Sequence, residues 1–209
     1  MNFYIAIIDY GMGNLKSIYK CFEHIGVDAK ITAQKSEILK ADGVILPGVG
    51  AFDDAMKNLR KNNLISVISQ VFRERIPLFG ICLGLQLLFT KSYEMGKNKG
   101  LDIIQGEVIP FNLDKVDKIP QIGWNSVNFQ QPDHFLTEDI PNDSYFYFVH
   151  SFYGVPKNKD AILGLTRYGE IEFGSMISKE SVFATQFHPE KSSRYGIQMY
   201  ENFIKHCRK

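Results

Sequence analysis

The chain has 209 residues, 44% of them hydrophobic and 22% charged, and its 24 Lys+Arg against 23 Asp+Glu leave a formal net charge of +1. This composition argues against disorder, and the near-neutral balance supplies no global field for nucleic acid or an anionic membrane. Cys21, Cys82 and Cys207 are widely spaced with no CxxC pair, which argues against a disulfide framework or a zinc ribbon. The N-terminus lacks the basic region and the length of a signal peptide, and the most apolar stretch, 77–89, falls short of a bilayer span. The expectation is one cytoplasmic domain over residues 1–209.

The first half alternates strands with helices. Phe3–Asp9 is an apolar run of the kind that forms a buried parallel strand. Asn14 is placed to cap a helix through about Glu23, with Leu15, Ile18, Tyr19 and Phe22 on one face and Gly26 ending it. Val27–Ile31 and Gly43–Leu46 read as strands, and Phe52–Lys61 and Leu64–Arg75 as helices, the first opened by the favourable Asp53–Asp54 pair. Leu78–Ile81 is a further strand and Leu83–Lys91 a further helix. Such spacing implies βαβ units with right-handed crossovers. After a polar loop at Lys97–Gly100, short runs take over at Val108–Phe111, Ser126–Phe129, Tyr145–Val149, Ile162–Thr166, Ile171–Ile177 and Val182–Phe187, with a hairpin turn at Tyr168–Glu170. Arg194–His206 closes the chain as an amphipathic helix through Ile197, Tyr200 and Ile204. The predicted fold is α/β: a mostly parallel central sheet flanked by helices, with antiparallel strands added in the C-terminal half.

The strongest local signal is Gly80-Ile81-Cys82-Leu83-Gly84 between an apolar strand and an apolar helix, the cysteine form of a nucleophile elbow. The turn strains the nucleophile, small neighbours relieve crowding, and a helix N-terminus favours thiolate. A thiolate needs a held base, and Gln186-Phe187-His188-Pro189-Glu190 offers one. Pro189 biases His188 to an extended conformation. The i, i+2 relation of extended chain then puts His188 and Glu190 on one side. Nucleophile, base and orienter follow in the order Cys82, His188, Glu190. Pro47-Gly48-Val49-Gly50 follows a strand end and offers N–H donors for an oxyanion. Gly11-Met12-Gly13-Asn14 lies where a dinucleotide fingerprint would, but Lys16 occupies the third glycine position and no Walker pattern is present.

With these segments in order, the sequence resembles the class I, or triad, glutamine amidotransferases over almost its whole length. Gly80–Gly84 with Leu85-Gln86, and His188-Pro189-Glu190-Lys191, carry the superfamily likeness. Asp9–Asn14, Pro47–Gly50, Ile122-Gly123-Trp124-Asn125 and Tyr147–Ser151 narrow it to the branch that serves a cyclase in histidine biosynthesis. The resemblance implies that Cys82 attacks the glutamine carboxamide, that His188 shuttles protons, and that Glu190 orients His188. It places the oxyanion among Val49, Gly50 and Leu83. It assigns Gly48, Gln86 and Glu94 to the substrate, with the Ser151–Phe152 backbone meeting its carboxylate. It implies no metal and no organic cofactor. The implied partner is a (β/α)₈ cyclase subunit that receives the ammonia, with Asn14, Trp124, Asn125, Tyr147 and Lys191 near the docking face. Trp124 as a core aromatic and Lys191 as a solvated charge are the competing readings.

Two departures from the family pattern bear on partner choice: Gln121 where histidine is usual, and an altered segment at Phe173–Met176. A glutaminase that feeds a sugar-modifying synthetase in surface polysaccharide assembly carries the same chemistry and stands as the alternative. A non-enzymatic nucleotide-binding module leaves both the Cys82 and the His188 segments unexplained.

Overall fold

The computed structural model describes residues 3–209; Met1 and Asn2, the start of the N-terminal stretch read above, lie outside it. Among the described residues the strands are β1 (Ile5–Ile8), β2 (Ala29–Thr32), β3 (Gly43–Leu46), β4 (Leu78–Ile81), β5 (Phe89–Ser92), β6 (Asn98–Lys99), β7 (Ile104–Pro110), β8 (Gln121–Phe129), β9 (Ser144–His150), β10 (Phe152–Pro156), β11 (Ile162–Tyr168), β12 (Ile171–Lys179) and β13 (Val182–Thr185). The helices are α1 (Leu15–Ile25), α2 (Lys35–Ile38), α3 (Phe52–Lys61), α4 (Leu64–Arg73), α5 (Leu83–Leu87) and α6 (Ser193–Cys207). None of them is long and apolar enough to cross a membrane.

The main sheet runs β2-β1-β3-β4-β13-β12-β11-β8-β9. Its first five strands are mutually parallel, and from β13 onward each neighbour is antiparallel. β1, β3 and β4 are apolar on both faces because both faces are covered. Ile5, Ile7, Ile45 and Phe79 meet α1 and α6 through Phe22, Tyr200 and Phe203, while Ala6, Ile8, Val44 and Leu78 belong to the other core, with Phe52, Leu59, Leu64 and Ile68 of α3 and α4. A small second sheet, β10-β7-β5-β6, sits beside it.

Several expectations need correction. The helix read over Leu83–Lys91 stops at Leu87, and Phe89–Ser92 is a strand. The cause is non-local: the N–H groups of Leu101, Ile103 and Ile104 bond the carbonyls of Leu87 and Leu88, and β5 then pairs with β7. β10 and the one-turn α2 were not foreseen, and the loop at Lys97–Gly100 contains β6. Asn14 stands at the start of α1 without a side-chain cap bond; its carbonyl takes the N–H groups of Ser17 and Ile18. Tyr19 on the predicted apolar face is exposed, and Cys21 is buried in its stead.

Candidate active site

The site forms where β3, β4 and β13 end side by side. At the end of β4 the chain turns at Cys82, with φ 54° and ψ −108°, a conformation that costs a non-glycine residue about 1–3 kcal/mol. α5 begins at the next residue, so the strained strand-to-helix elbow is present, although its helix is a single turn of five residues. Close packing explains the glycines. A Cβ on Gly84 would lie 2.0 Å from Leu46 O, and one on Gly48 would lie 2.7 Å from Gly84 N and from Leu83 Cβ. These contacts lay the Pro47–Gly50 segment against the start of α5, where the first N–H groups lack intrahelical acceptors. The Tyr10 hydroxyl pins the segment upstream by donating to Pro47 O at 2.8 Å.

From β13 the chain runs extended to His188, at φ −100° and ψ 99°. Residues 189–191 then form a 3₁₀ turn, so Glu190 reaches His188 across a turn and not, as the spacing suggested, along extended chain. His188 Nδ1 donates to Glu190 Oε1 at 2.8 Å, with both side chains buried. The other ring nitrogen, Nε2, is buried without a hydrogen-bond partner. Burial pushes the imidazole down, but the sulfur of Cys82 and the carboxylate of Glu190 outweigh it and raise it to about 10. Behind the pair, burial and the Glu190 charge hold the Tyr200 hydroxyl well above its usual range.

A cavity of about 410 Å³ opens in front of the pair. Val49, Gly50, Cys82, Leu83, Gln86, Glu94, Ser151, Phe152 and His188 line it, nine of the residues singled out from sequence. Gly48 and Glu190 lie behind the wall and support it. Pro120, Val149 and His150 also line the cavity and were not assigned to the site. His150 is neutral at neutral pH: burial lowers its pKa to about 4, against the pull of the Phe152 carbonyl that its Nδ1–H bonds at 2.8 Å. Phe152 O also accepts from Gln86 Nε2 at 3.0 Å. Glu94 Oε2 accepts the Phe52 N–H at 2.7 Å, which ties this cavity carboxylate to the first turn of α3. Among the described residues no three His, Cys, Asp or Glu side chains cluster as a metal site.

A family model for class I glutamine amidotransferases matches residues 6–207. The chain belongs to this family. Within it, the chain is 49% identical to the imidazole glycerol phosphate synthase subunit HisH of Moorella thermoacetica, over 95% of this chain and 93% of that one. It is equally 49% identical to the HisH subunit of Methanocaldococcus jannaschii, over 96% and 98%. Among solved structures the fold is similar to PurLQS from Thermotoga maritima (TM-score 0.76, 16% identity, 99% of each chain). It is also similar to the glutaminase domain of Trypanosoma brucei CTPS (TM-score 0.70, 16% identity, 98% of this chain and 94% of that one).

Of the second group of family positions, Trp124 and Tyr147 lie on the outer face of β8–β9, Asn125 faces the other side of β8, Lys191 sits on the 3₁₀ turn after His188, and Asn14 stands at the start of α1. Trp124 is 53% exposed, which removes the core reading, and packs edge-on to Tyr147 at 6.3 Å between centroids. Lys191 is a solvent-exposed charge, with Nζ 5.7 Å over the Tyr147 ring. Asn125 is turned to Arg167 O, which its Nδ2 bonds at 2.9 Å. Ile122 and Tyr145, 55% and 60% exposed, extend this aromatic face and were missed, because an apolar strand residue reads as core until its pairing is known. The face is wired to the site: His188 N–H donates to Tyr147 O at 3.0 Å, and Ser192 Oγ bridges Tyr147 N and His188 O.

Proposed function

We propose that this chain is the glutaminase subunit of an imidazole glycerol phosphate synthase, hydrolysing glutamine to glutamate and ammonia with Cys82, His188 and Glu190 and passing the ammonia to a cyclase subunit. The observation that carries the reading is a strained Cys82 elbow sharing a cavity with a histidine whose far nitrogen is clamped by a buried carboxylate. The kinship with HisH subunits favours this over the sugar-modifying alternative.

The chemistry follows from the positions. His188, charged in the resting site, holds the proton that the Cys82 thiol gives up. Sγ attacks the carboxamide carbon, and the oxyanion settles between the N–H of Leu83 and the Val49–Gly50 segment. His188 passes its Nε2 proton to the departing nitrogen, and ammonia leaves. The neutral imidazole then takes a proton from water, whose oxygen attacks the thioester and releases glutamate. Glu190 fixes the ring throughout. Gln86 and Glu94 hold the amino end of the substrate, and the backbone at Ser151–Phe152 meets its carboxylate. The exposed Trp124, Tyr147 and Lys191 face, with Asn14 and Asn125, receives a (β/α)₈ cyclase.

The test is glutamate release by the chain alone, with the histidine-pathway cyclase, and with the cyclase plus its nucleotide ligand. Low basal turnover that rises with the cyclase, and its loss in Cys82→Ala, are expected. Parent-level glutamate release by Cys82→Ala would overturn the mechanism. No response to the cyclase, with Cys82 still labelled by a glutamine-analogue electrophile, would transfer the site to another acceptor enzyme.

A further inference from the structure

Gln186 has no part in the mechanism above, yet its side chain is fully buried against the nucleophile. Its Nε2 lies 3.7 Å from Cys82 Sγ and its Oε1 lies 3.1 Å from Gln86 Nε2. The direction of these contacts is forced. Phe152 O is only an acceptor, so the group of Gln86 that meets it at 3.0 Å must be the amide nitrogen. That nitrogen has one more N–H, directed to Gln186, which must therefore present its carbonyl. The Gln186 nitrogen is left for the sulfur. A chain of donors thus runs from Gln186 to Cys82 and from Gln86 to Gln186 and Phe152, leaving the Gln86 carbonyl as the group free for a ligand in the cavity.

The sulfur has a second contact, to Val149 O at 3.9 Å, which serves only the protonated thiol as donor. Once the proton leaves, that contact opposes the charge, and the Gln186 N–H becomes a charge-assisted donor. We propose that Gln186 is a catalytic hydrogen-bond donor to the Cys82 sulfur and, through Gln86, a positioning residue for the amino end of the substrate. The proposal rests on Cys82 being the nucleophile. Gln186 serves both ends of the reacting glutamine from one buried amide.

The experiment measures the pH profile of Cys82 alkylation by iodoacetamide in the full chain, read by mass spectrometry on the Cys82 peptide so that Cys21 and Cys207 do not contribute. Gln186→Met removes the donor at similar volume. The profile is expected to move to higher pH by about one unit, the size of a hydrogen bond to a charged group. His188 and Tyr10, the titratable groups coupled to Cys82, are unchanged in that variant. If Gln186→Met does not fold, Gln186→Asn, which withdraws the amide by one methylene, is read in the same way. Gln186→Met also takes from Gln86 its acceptor, so its KM for glutamine should rise several-fold. An unmoved profile in a folded Gln186→Met or Gln186→Asn variant would overturn the donor role, and a parent-like KM in the Met variant the positioning role. Absence of glutaminase activity in the parent with its cyclase would instead count against the reading of the site itself.

Discussion

Gly84→Ala tests the packing that brings Pro47–Gly50, the proposed oxyanion segment, to the elbow. The new methyl carbon would stand 2.0 Å from Leu46 O, where ordinary contact begins near 3.4 Å, so two backbones must part by about 1.4 Å (3.4 − 2.0). Neither side is a flexible side-chain end: Leu46 closes β3, and Gly84 lies in the single turn of α5. Overpacking of this kind costs about 3 kcal/mol. The same displacement moves Leu83 N–H away from Val49 and Gly50, and a shift of about 1 Å in a reacting geometry costs ~100-fold in rate. Urea unfolding at constant slope reads the first effect, and cyclase-stimulated glutamate release reads the second. Gly174→Ala is the control, since its added carbon would find its nearest neighbour, Ile162 Cγ1, at an ordinary 3.4 Å. Its stability should stay within about 0.5 kcal/mol of the parent. Gly84→Ala as stable and as active as Gly174→Ala would refute the packing argument.

Because His188 is raised from 6.5 to about 10 in the folded chain, its contribution to stability is full below pH 6.5 and is lost as pH climbs to about 10. His188→Gln should remove that part of the alkaline fall in Tm, and parallel Tm curves for parent and variant would count against the ion pair. Glu190→Ala should retain more glutaminase activity than Cys82→Ala, since nucleophile and base remain; equal loss in a folded protein would assign Glu190 more than orientation. Glu94→Gln should raise KM for glutamine about tenfold, with a stability loss under about 1 kcal/mol at the start of α3, and saturation kinetics with an unchanged KM would remove Glu94 from the substrate site. Trp124→Ala should leave the isolated chain within about 1 kcal/mol of the parent but weaken cyclase binding about thirtyfold by titration, as for a central aromatic anchor.

What the sequence disclosed tracks how local the determinants are. β3, α3 and β4 fall on the residues read from the chain, because an apolar run bounded by Pro47, an acidic first turn or Pro77 needs no distant partner to be recognised. Leu83–Lys91 misled because no breaker follows Gly84 at its start. The carbonyls that would have continued α5 are taken by amides from Leu101 to Ile104, which no helical period reveals. The Cys82 and His188–Glu190 segments were legible as local motifs. Gln186 was not, although it stands two residues from His188, since its contacts reach 100 residues to Gln86 and 104 to Cys82. Ile122 and Tyr145 look like core until β8 and β9 are paired and their alternation shows which face is outward.

The register of three parallel strands explains why these segments meet. Leu46 of β3 lies opposite Gly80 of β4, and Ile81 of β4 opposite Thr185 of β13. Each strand ends within about a residue of the same level, so Pro47–Gly50, Cys82–Leu83 and Gln186–His188 leave the sheet together at its carboxyl edge, where doubly wound sheets place their ligands. The Cys82 N–H is fastened to Thr185 O at 2.8 Å, which fixes the elbow to β13 itself. A slip of one residue in β13 would carry Gln186 and His188 about 3.3 Å along the sheet and turn their side chains to the other face. The antiparallel half supplies what the parallel half lacks. β9 accepts the His188 N–H at Tyr147 and presents the outer side of the same residue, edge-on to Trp124 and beneath Lys191 Nζ, to solvent. On the proposed docking, a cyclase seated on that face would bear on a residue one hydrogen bond from the base, and docking and catalysis would share a strand.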